Sequence, residues 1–193
     1  MMDIEYEATF TNVDKKEAVE KLKKAGAKLQ KREFLQKRVV FLLPKGHEIN
    51  GAWLRVRDEK DKVTMSLKVI DGTSIENQKE LCIAVDDFKK AVRLLESIGC
   101  EKKAYQESRR ELWKLGNVEI TIDEWPFLEP FVEVEGPSEN SVKDVCKMLG
   151  FDYQDALFCS VDTLYSKKYG ISEDRVNNQT PRIVFGEKNP FLR

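Results

Sequence analysis

The sequence predicts an α+β protein in which about eight antiparallel strands combine with three or four helices. Three observations lead to this class. Eight segments alternate apolar and polar residues, which is the period of a β-strand. Stretches of about twelve residues carry an apolar stripe at helical spacing and end at glycine. Turn signals such as Gly116-Asn117 separate neighbouring strands, which favours antiparallel pairing.

The elements follow one another in a regular order along the chain. The predicted strands are residues 3–10, 28–43, 53–57, 62–70, 79–85, 103–115, 117–123 and 131–137. The predicted helices are 14–25, 86–99, 138–149 and about 155–168, and the first begins at the N-cap candidate Asp14. Residues 3–43 and 80–115 share the order strand, helix, long strand. We expect one domain over residues 1–169 and a polar C-terminal tail over 170–193, packed loosely or over an opening.

Composition excludes several classes of protein. The chain has 33 Lys and Arg against 34 Asp and Glu, so it lacks the basic excess of proteins that bind nucleic acid or membrane surfaces. It contains no membrane-length apolar run and no signal-peptide pattern. The four cysteines are far apart, and we expect buried free thiols in the cytoplasm rather than disulfides or zinc. The single histidine, His47, lies in a loop-like stretch, which makes histidine-centred catalysis improbable.

Alternation gives nearly every strand one apolar and one charged face. The residues that share the charged faces are Glu5, Glu7 and Thr9; Trp53, Arg55 and Arg57; Thr64, Ser66 and Lys68; Glu80; Glu119, Thr121 and Asp123; and Glu133 and Glu135. The helices need apolar surface to cover. An open sheet with its charges in water satisfies this need, and so does a closed barrel with a polar lumen. The pattern alone does not separate the two.

The charges are also sorted by strand. Arg55 and Arg57 lie on one strand, and arginine donors match the oxygens of phosphate groups. Carboxylates come from separate strands, and oxygen donors brought together suit a cation such as Mg²⁺. A lumen that contains both kinds of group would hold a metal-complexed polyphosphate.

Seven short pieces occur in an order that resembles a known family. They are "EYEAT", "WLRVR", "SLKV", "KE" at 79–80, "SRRELW", "EITID" and "FVEVEG", spread over residues 3–136. At these pieces the chain resembles the CYTH family of triphosphate tunnel proteins, which includes class IV adenylyl cyclases and thiamine triphosphatases. The resemblance implies an eight-stranded, closed antiparallel β-barrel that forms a tunnel, with the helices packed outside.

The resemblance also implies roles for residues. It implies that triphosphate oxygens are bound by Arg55, Arg57, Lys68 and Arg110, and that Mg²⁺ or Mn²⁺ is bound by Glu5, Glu7, Asp123, Glu133 and Glu135. It places Glu7, Arg57 and Lys68 in catalysis and Glu80 on the acidic strand that follows the lysine strand. By alternation Trp53 shares the face of Arg55, where it either stacks on an organic triphosphate or packs under a loop or the tail.

Two positions depart from the family pattern. Thr9 stands in place of the hallmark lysine, and Ser108 stands where many members have a second basic residue, with Lys103 or Arg109 as candidates to compensate. The expected function is a metal-dependent triphosphatase. The alternatives are an adenylyl cyclase that forms cyclic AMP and pyrophosphate from ATP, and a binding protein without turnover. The expected partner is a small molecule that carries a triphosphate, with no nucleic acid or membrane, and a homodimer is a further option.

Overall fold

The computed structural model describes residues 2–192 and consists of a strongly curved sheet with helices on its outer side. The strands are β1 (Asp3–Ile4), β2 (Tyr6–Phe10), β3 (Lys28–Leu42), β4 (Ala52–Asp58), β5 (Val63–Ile70), β6 (Gln78–Val85), β7 (Glu101–Leu115), β8 (Val118–Glu124), β9 (Phe131–Gly136) and β10 (Arg182–Ile183). The helices are α1 (Lys15–Lys24), α2 (Phe88–Ser97), α3 (Glu139–Leu149), α4 (Val161–Tyr169) and α5 (Glu173–Asn178). The predicted α+β class is confirmed.

The sheet closes on itself through the first strand. The strand order is β1-β6-β5-β4-β3-β7-β8-β9-β2, and all of these neighbours are antiparallel. The segment predicted as one strand breaks at Glu5, so that Asp3 pairs with Glu80 of β6 while Glu7 pairs with Glu135 of β9. Residues 3–10 therefore join the two edges of a nearly closed barrel. The prediction of a barrel is confirmed, and the break explains why nine strands rather than eight form it.

The two longest strands support the internal similarity seen in the sequence. Strands β3 and β7 each contain 15 residues and pair with each other, for example at Arg38 and Gln106. Each follows a strand and a helix, in the order β2-α1-β3 and β6-α2-β7. The two similar halves therefore meet along their long strands.

The hydrophobic core lies between the outer side of the barrel and the helices. Ile120, Val134 and Ala8 from the barrel are completely buried, and Leu22 of α1 and Val142 of α3 pack with them. Burying a leucine side chain contributes about 1.5–3 kcal/mol, so these contacts hold the apolar faces outward. The opposite faces of the same strands then point into the lumen. Of the two arrangements that the alternation allowed, the structure has the charged lumen.

Helix ends follow the sequence signals, with one exception. The Asp14 carboxylate accepts hydrogen bonds from the backbone N–H groups of Lys16 and Glu17, and α3 ends at Gly150 in the left-handed conformation. The predicted fourth helix was about 155–168, whereas α4 begins at Val161 and only a short 3₁₀ turn, Tyr153–Asp155, precedes it.

The C-terminal segment packs on the barrel more tightly than the sequence indicated. Val176 of α5 and Ile183 of β10 are buried with Trp125, and β10 pairs in parallel with β7. The backbone N–H of Tyr105 donates to the carbonyl of Pro181 at 2.9 Å. Of the two arrangements expected for this segment, only loose packing is therefore wrong, because the segment contributes buried apolar side chains. The division into residues 1–169 and 170–193 stays a prediction, and Met1 and Arg193 lie outside the described residues.

The cysteines are free, as expected, but not all of them are buried. Cys100 and Cys146 are buried, Cys159 is half-buried and Cys82 is exposed. The expectation of buried thiols is wrong for Cys82, whose strand β6 has little cover on that part of the barrel. Among residues 2–192, none of the helices has the length and hydrophobicity that a membrane crossing requires.

Candidate functional site: a charged tunnel

The lumen of the barrel contains a cavity of about 920 Å³. Side chains from the inner faces of the strands line it, together with residues of α4 and α5. The predicted site residues that line the cavity are Glu5, Glu7, Trp53, Arg55, Arg57, Lys68, Glu80, Arg110, Glu133 and Glu135. Asp123 and Thr9 are buried beside the cavity rather than on its surface.

One side of the cavity is basic and its charges are paired. We call Arg55, Arg57 and Lys68, from β4 and β5, the basic wall. Their partners are nearby carboxylates: Arg55 Nη2 lies 2.9 Å from Glu80 Oε1, Arg57 Nη2 lies 2.6 Å from Glu59 Oε1, and Lys68 Nζ lies 2.6 Å from Glu5 Oε2. The side chains in these pairs are at most 13% exposed, so the charges are largely desolvated. A more strongly charged anion would compete with these carboxylates for the arginine and lysine side chains.

The basic wall also has hydrogen-bond donors without partners. Within residues 2–192, the Nε atoms of Arg55 and Arg57 and the hydroxyls of Thr64 and Ser66 are buried and accept or donate no hydrogen bond. The strand register places Thr64 beside Arg57 and Ser66 beside Arg55. Buried polar groups are normally bonded, so four such atoms in one patch indicate a place for a ligand with many acceptor oxygens.

The other side of the cavity carries an excess of negative charge. We call Glu7, Glu133 and Glu135, from β2 and β9, the acidic wall; Glu7 and Glu135 are direct cross-strand neighbours. Burial raises the pKa of Glu7 to about 7 against the charge of Lys68, and the carboxylates of Glu5 and Glu135 raise it further. Burial and the charge of Glu7 likewise raise the pKa of Glu133 to about 8. The surroundings of Glu7 and Glu133 therefore contain too little positive charge to balance these carboxylates.

Arg110 of β7 lies between the two walls. Its Nε is 2.8 Å from Asp123 Oδ1 and its Nη2 is 2.5 Å from Glu133 Oε2. Burial opposes its charge, but these two carboxylates raise the pKa of Arg110 above its ordinary value. Asp123 is fully buried behind the guanidinium and also accepts a hydrogen bond from the Thr121 hydroxyl at 2.6 Å. Asp123 therefore orients Arg110.

The donor chemistry of the acidic wall fits a divalent cation. Glu7, Glu133 and Glu135 offer carboxylate oxygens, which Mg²⁺ and Mn²⁺ prefer. Burial, and after it the neighbouring carboxylates, raise the pKa values of Glu7 and Glu133, and a bound cation would counter both effects. Over residues 2–192, however, no three His, Cys, Asp or Glu side chains are already gathered in the arrangement of a metal site. The carboxylates are present, and Glu133 is engaged with Arg110.

Trp53 is held in position by its neighbours. It is half-buried, lines the cavity and pairs across the strands with Lys68. Two residues before it, Gly51 has φ +71° and passes so close to β5 that a Cβ atom would lie 2.0 Å from the Ile70 carbonyl oxygen. Only glycine fits there, so it fixes the backbone path into β4 two residues before Trp53.

Thr9 lies further from the cavity than alternation predicted. It is 2% exposed and forms an isolated bridge with Leu157, its N–H donating at 3.0 Å and its carbonyl accepting at 2.9 Å. The segment around Leu157 therefore covers this part of the strand. Sequence reasoning could not have found this cover, because the two residues are far apart in the chain.

Sequence reasoning missed Arg38 of β3, which lines the cavity and is 6% exposed. It also missed Glu59, the partner of Arg57. A signal existed for Arg38: alternation along β3 places it on the same face as the buried Phe34, Gln36 and Val40. A charged residue on a face that is otherwise buried is a functional candidate.

Comparison with known proteins agrees with this geometry. A model of the CYTH domain matches residues 1–162. A Methanocaldococcus jannaschii protein, provisionally named an adenylate cyclase, is 27% identical over 169 residues, covering 86% of this chain and 96% of the relative. A solved Vibrio parahaemolyticus structure, also provisionally an adenylate cyclase, has a TM-score of 0.73 at 13% identity and covers 86% of this chain and 99% of that one.

A Hippeastrum structure has a TM-score of 0.55 at 14% identity, covering 86% of this chain and 96% of that one. It is named as an adenylyl cyclase with a dominant triphosphatase activity. At these identities the two solved structures support the fold of this chain.

Proposed function

Because this chain belongs to the CYTH family, we propose that it is a divalent-metal-dependent triphosphatase that hydrolyses inorganic triphosphate or a small organic or nucleoside triphosphate inside the tunnel. One observation carries the proposal. A single cavity joins a basic wall that has unpartnered donors to an acidic wall that lacks positive charge. A metal-complexed triphosphate has the complementary distribution of charge.

The basic wall binds the phosphoryl oxygens. Arg55, Arg57 and Lys68 exchange their carboxylate partners for oxygens of the substrate, and the unpartnered hydroxyls and Nε atoms gain acceptors. Arg110 provides a further guanidinium, which Asp123 holds in place. Charge-assisted hydrogen bonds of this kind are the strong ones, and they stabilise the charge that develops as the terminal phosphoryl group transfers.

The acidic wall would hold Mg²⁺ or Mn²⁺. Glu7, Glu133 and Glu135 are the proposed ligands, and Glu5 and Asp123 contribute through Lys68 and Arg110. When bound, the cation would neutralise phosphoryl oxygens and make the phosphorus atom easier for a nucleophile to attack. Glu7 orients the attacking water in line with the bond that breaks, and Arg57 and Lys68 stabilise the leaving phosphate chain.

The test is a panel of triphosphates with product identification, run separately with Mg²⁺ and Mn²⁺. Release of inorganic phosphate, abolished by a chelator and by Arg57→Ala, is the expected result. Glu96→Ala, an exposed substitution at the end of α2, is the control and should leave the rate unchanged. Absence of phosphate release from every triphosphate would contradict the proposal.

An adenylyl cyclase is the second candidate. The provisional name of the Methanocaldococcus jannaschii relative favours it, since that likeness extends over most of both chains. The wall residues would serve the same purpose, and the substrate 3′-hydroxyl would replace water. Cyclic AMP and pyrophosphate from ATP, without inorganic phosphate, would establish this reaction instead.

A binding protein without turnover is the third candidate. It is favoured by Thr9, which is covered by the segment around Leu157 and supplies no charge to the cavity. Thermal stabilisation by triphosphate without any product would establish it. A cytoplasmic location and the lack of nucleic-acid or membrane partners stay predictions of the sequence, as does the option of a homodimer.

A further inference from the structure

Arg38 differs from the other arginines of the cavity because it has no acidic partner. Arg55, Arg57 and Arg110 each lie within 3 Å of a carboxylate oxygen. Across residues 2–192, by contrast, no carboxylate lies within 4 Å of the Arg38 guanidinium. Arg38 is also 94% buried, since only 6% of its surface is exposed. A buried and unpaired charge is costly, so its retention requires a reason.

Neutral groups hold the Arg38 side chain in place. Its Nη2 donates to Gln36 Oε1 at 2.8 Å and to the hydroxyl of Ser108. Its guanidinium carbon lies 4.3 Å from the centroid of the Trp125 ring. Gln36 and Ser108 are completely buried, so the support is rigid. These contacts orient the cation, but they do not neutralise it.

The environment of Arg38 favours an anion from outside the chain. Burial lowers the pKa of Arg38 well below its ordinary value, and the charges of Arg55, Arg57 and Arg110 lower it further. Its Nε has no hydrogen-bond partner among the described residues, and the side chain lines the same cavity as the basic wall. The Trp125 ring, which packs against Tyr165 of α4, covers one face of the guanidinium.

Arg38 also bears on Ser108, which stands where many family members have a basic residue. Lys103 and Arg109 were the candidates to supply the missing basic charge, but Arg109 is 46% exposed and lies 4.0 Å from Glu124. Neither forms a hydrogen bond with Ser108 within residues 2–192, whereas Arg38 donates directly to its hydroxyl. A positive charge therefore reaches this point of the lumen from β3 instead of β7.

We propose that Arg38, positioned by Gln36, Ser108 and Trp125, is a further substrate-binding residue that binds phosphoryl oxygens of the triphosphate. The identity of the anion rests on the proposed function, but the binding site itself does not require turnover. The side chain is preorganised, so an anion gains its charge-assisted hydrogen bonds without ordering the arginine.

The experiment measures binding of inorganic triphosphate by calorimetry in the absence of metal. We expect Arg38→Met to weaken binding about tenfold or more, the usual effect of losing one charge-assisted hydrogen bond. Arg38→Lys should recover most of the affinity. Arg32→Met is the matched control, because Arg32 lies on the same strand but is exposed and outside the cavity lining, and it should bind like the wild type.

Thermal unfolding separates a binding role from a structural one. Arg38→Met removes an unbalanced charge, so the ligand-free variant should unfold at a temperature no lower than the wild type, while triphosphate stabilises it less. If Arg38→Met does not fold, Arg38→Gln is compared with the double variant Arg38→Gln, Ser108→Lys, in which the returned charge should restore binding.

Several outcomes would overturn the inference. One is a folded Arg38→Met variant that binds inorganic triphosphate as tightly as the wild type. Another is a double variant in which the returned lysine does not restore binding. Arg38-dependent binding without any hydrolysis would refute the proposed triphosphatase and leave this inference intact. Hydrolysis with an affinity that does not depend on Arg38 would refute this inference alone. A wild-type chain that binds no triphosphate would overturn both.

Discussion

The two walls of the tunnel are built from the same kind of strand but differ in how their charges are balanced. Arg55, Arg57 and Lys68 of the basic wall each have a carboxylate within 3 Å. On the acidic wall, Glu133 is paired with Arg110, while Glu7 and Glu135 have no Lys or Arg nitrogen within 4 Å in the described part of the chain. The deficit of positive charge is therefore local, and it lies opposite the wall that would bind the triphosphate.

This difference in charge balance indicates which part of a metal-complexed triphosphate each wall would bind. The basic wall is neutralised internally and is stable without ligand, so it needs an anion that competes with its own carboxylates. The acidic wall is not neutralised, and burial shifts Glu7 and Glu133 toward the protonated form. A cation is the component that it lacks. Changes at Arg110, at Glu7 and at Trp53, together with a change of pH, test this difference, with expected effects that decrease from Arg110 to Trp53.

The largest effect is expected for Arg110→Met, which removes the residue between the walls. Asp123 and Glu133 would lose their partner while buried, so the free energy of unfolding should fall by about 3 kcal/mol. Arg109→Met is the matched control, because Arg109 is the next residue and is 46% exposed; its loss should be about 0.5 kcal/mol. Urea unfolding measures both, and equal losses would contradict the role assigned to Arg110.

The next effect concerns activity and the acidic wall. Glu7→Gln keeps the shape of the side chain but removes its charge, and we expect the turnover rate to fall about 100-fold. Glu119→Gln is the control, since Glu119 also lines the cavity and pairs with Glu135 across β8 and β9 but lies outside the acidic wall and is 50% exposed. Its rate should stay near that of the wild type. Comparable losses in the two variants would show that the wall acts only through its total charge.

The third prediction uses pH to change the balance of the acidic wall. The pKa values of Glu7, about 7, and of Glu133, about 8, lie above the ordinary 4.5, and so does that of Glu5, the partner of Lys68, at about 7. The folded state therefore holds these protons more tightly than the unfolded state. The free energy of unfolding should therefore fall as pH rises from about 4.5 to about 8 without metal.

Mn²⁺ should reverse this trend, because it binds the deprotonated carboxylates and so stabilises the folded protein more at high pH. Melting temperatures at pH 5 and pH 8, with and without Mn²⁺, measure both effects. Glu80, whose pKa is about 2, is charged in the folded protein at both pH values and so does not cause this trend. A metal-free melting temperature that rises toward pH 8 would contradict the assignment.

The smallest effect is expected for Trp53→Leu. If the indole stacks on the organic part of a substrate, its loss should weaken binding of ATP up to about tenfold and leave inorganic triphosphate unaffected. Competition binding with the two ligands on one variant supplies its own control. An equal loss for both ligands would mean that Trp53 only supports the packing of β4 against β5.

Much of the candidate site was predictable from the sequence because β-strands alternate strictly. Arg55 and Arg57 share a face whatever the sheet does, and the same holds for Glu133 and Glu135. What alternation could not show is the level at which residues of different strands meet. The pairs Arg55 with Glu80 and Lys68 with Glu5 depend on register and on the break at Glu5.

Arg38 and Thr9 show what strand alternation could not predict about the site. Arg38 was passed over because its strand is long and mixed in composition, and its lack of an acidic partner is a property of three dimensions. Thr9 shares the strand face of Glu7, yet it is 2% exposed and lies outside the cavity lining, and the bridge to Leu157 occupies the strand edge beside it. In both cases the deciding contact joins residues that are remote in the chain.

The sequence by itself determined most of the strands and helices before about residue 150, the face of each strand on which charges lie, and the sorting of arginines and carboxylates onto separate strands. These are local properties that follow from the two-residue period and from helix-capping chemistry. The tertiary structure decided that the charged faces turn inward, since a two-residue period is the same for a solvated face and for a lumen. It also decided which charges are balanced, because that depends on the strand register and on packing between distant segments.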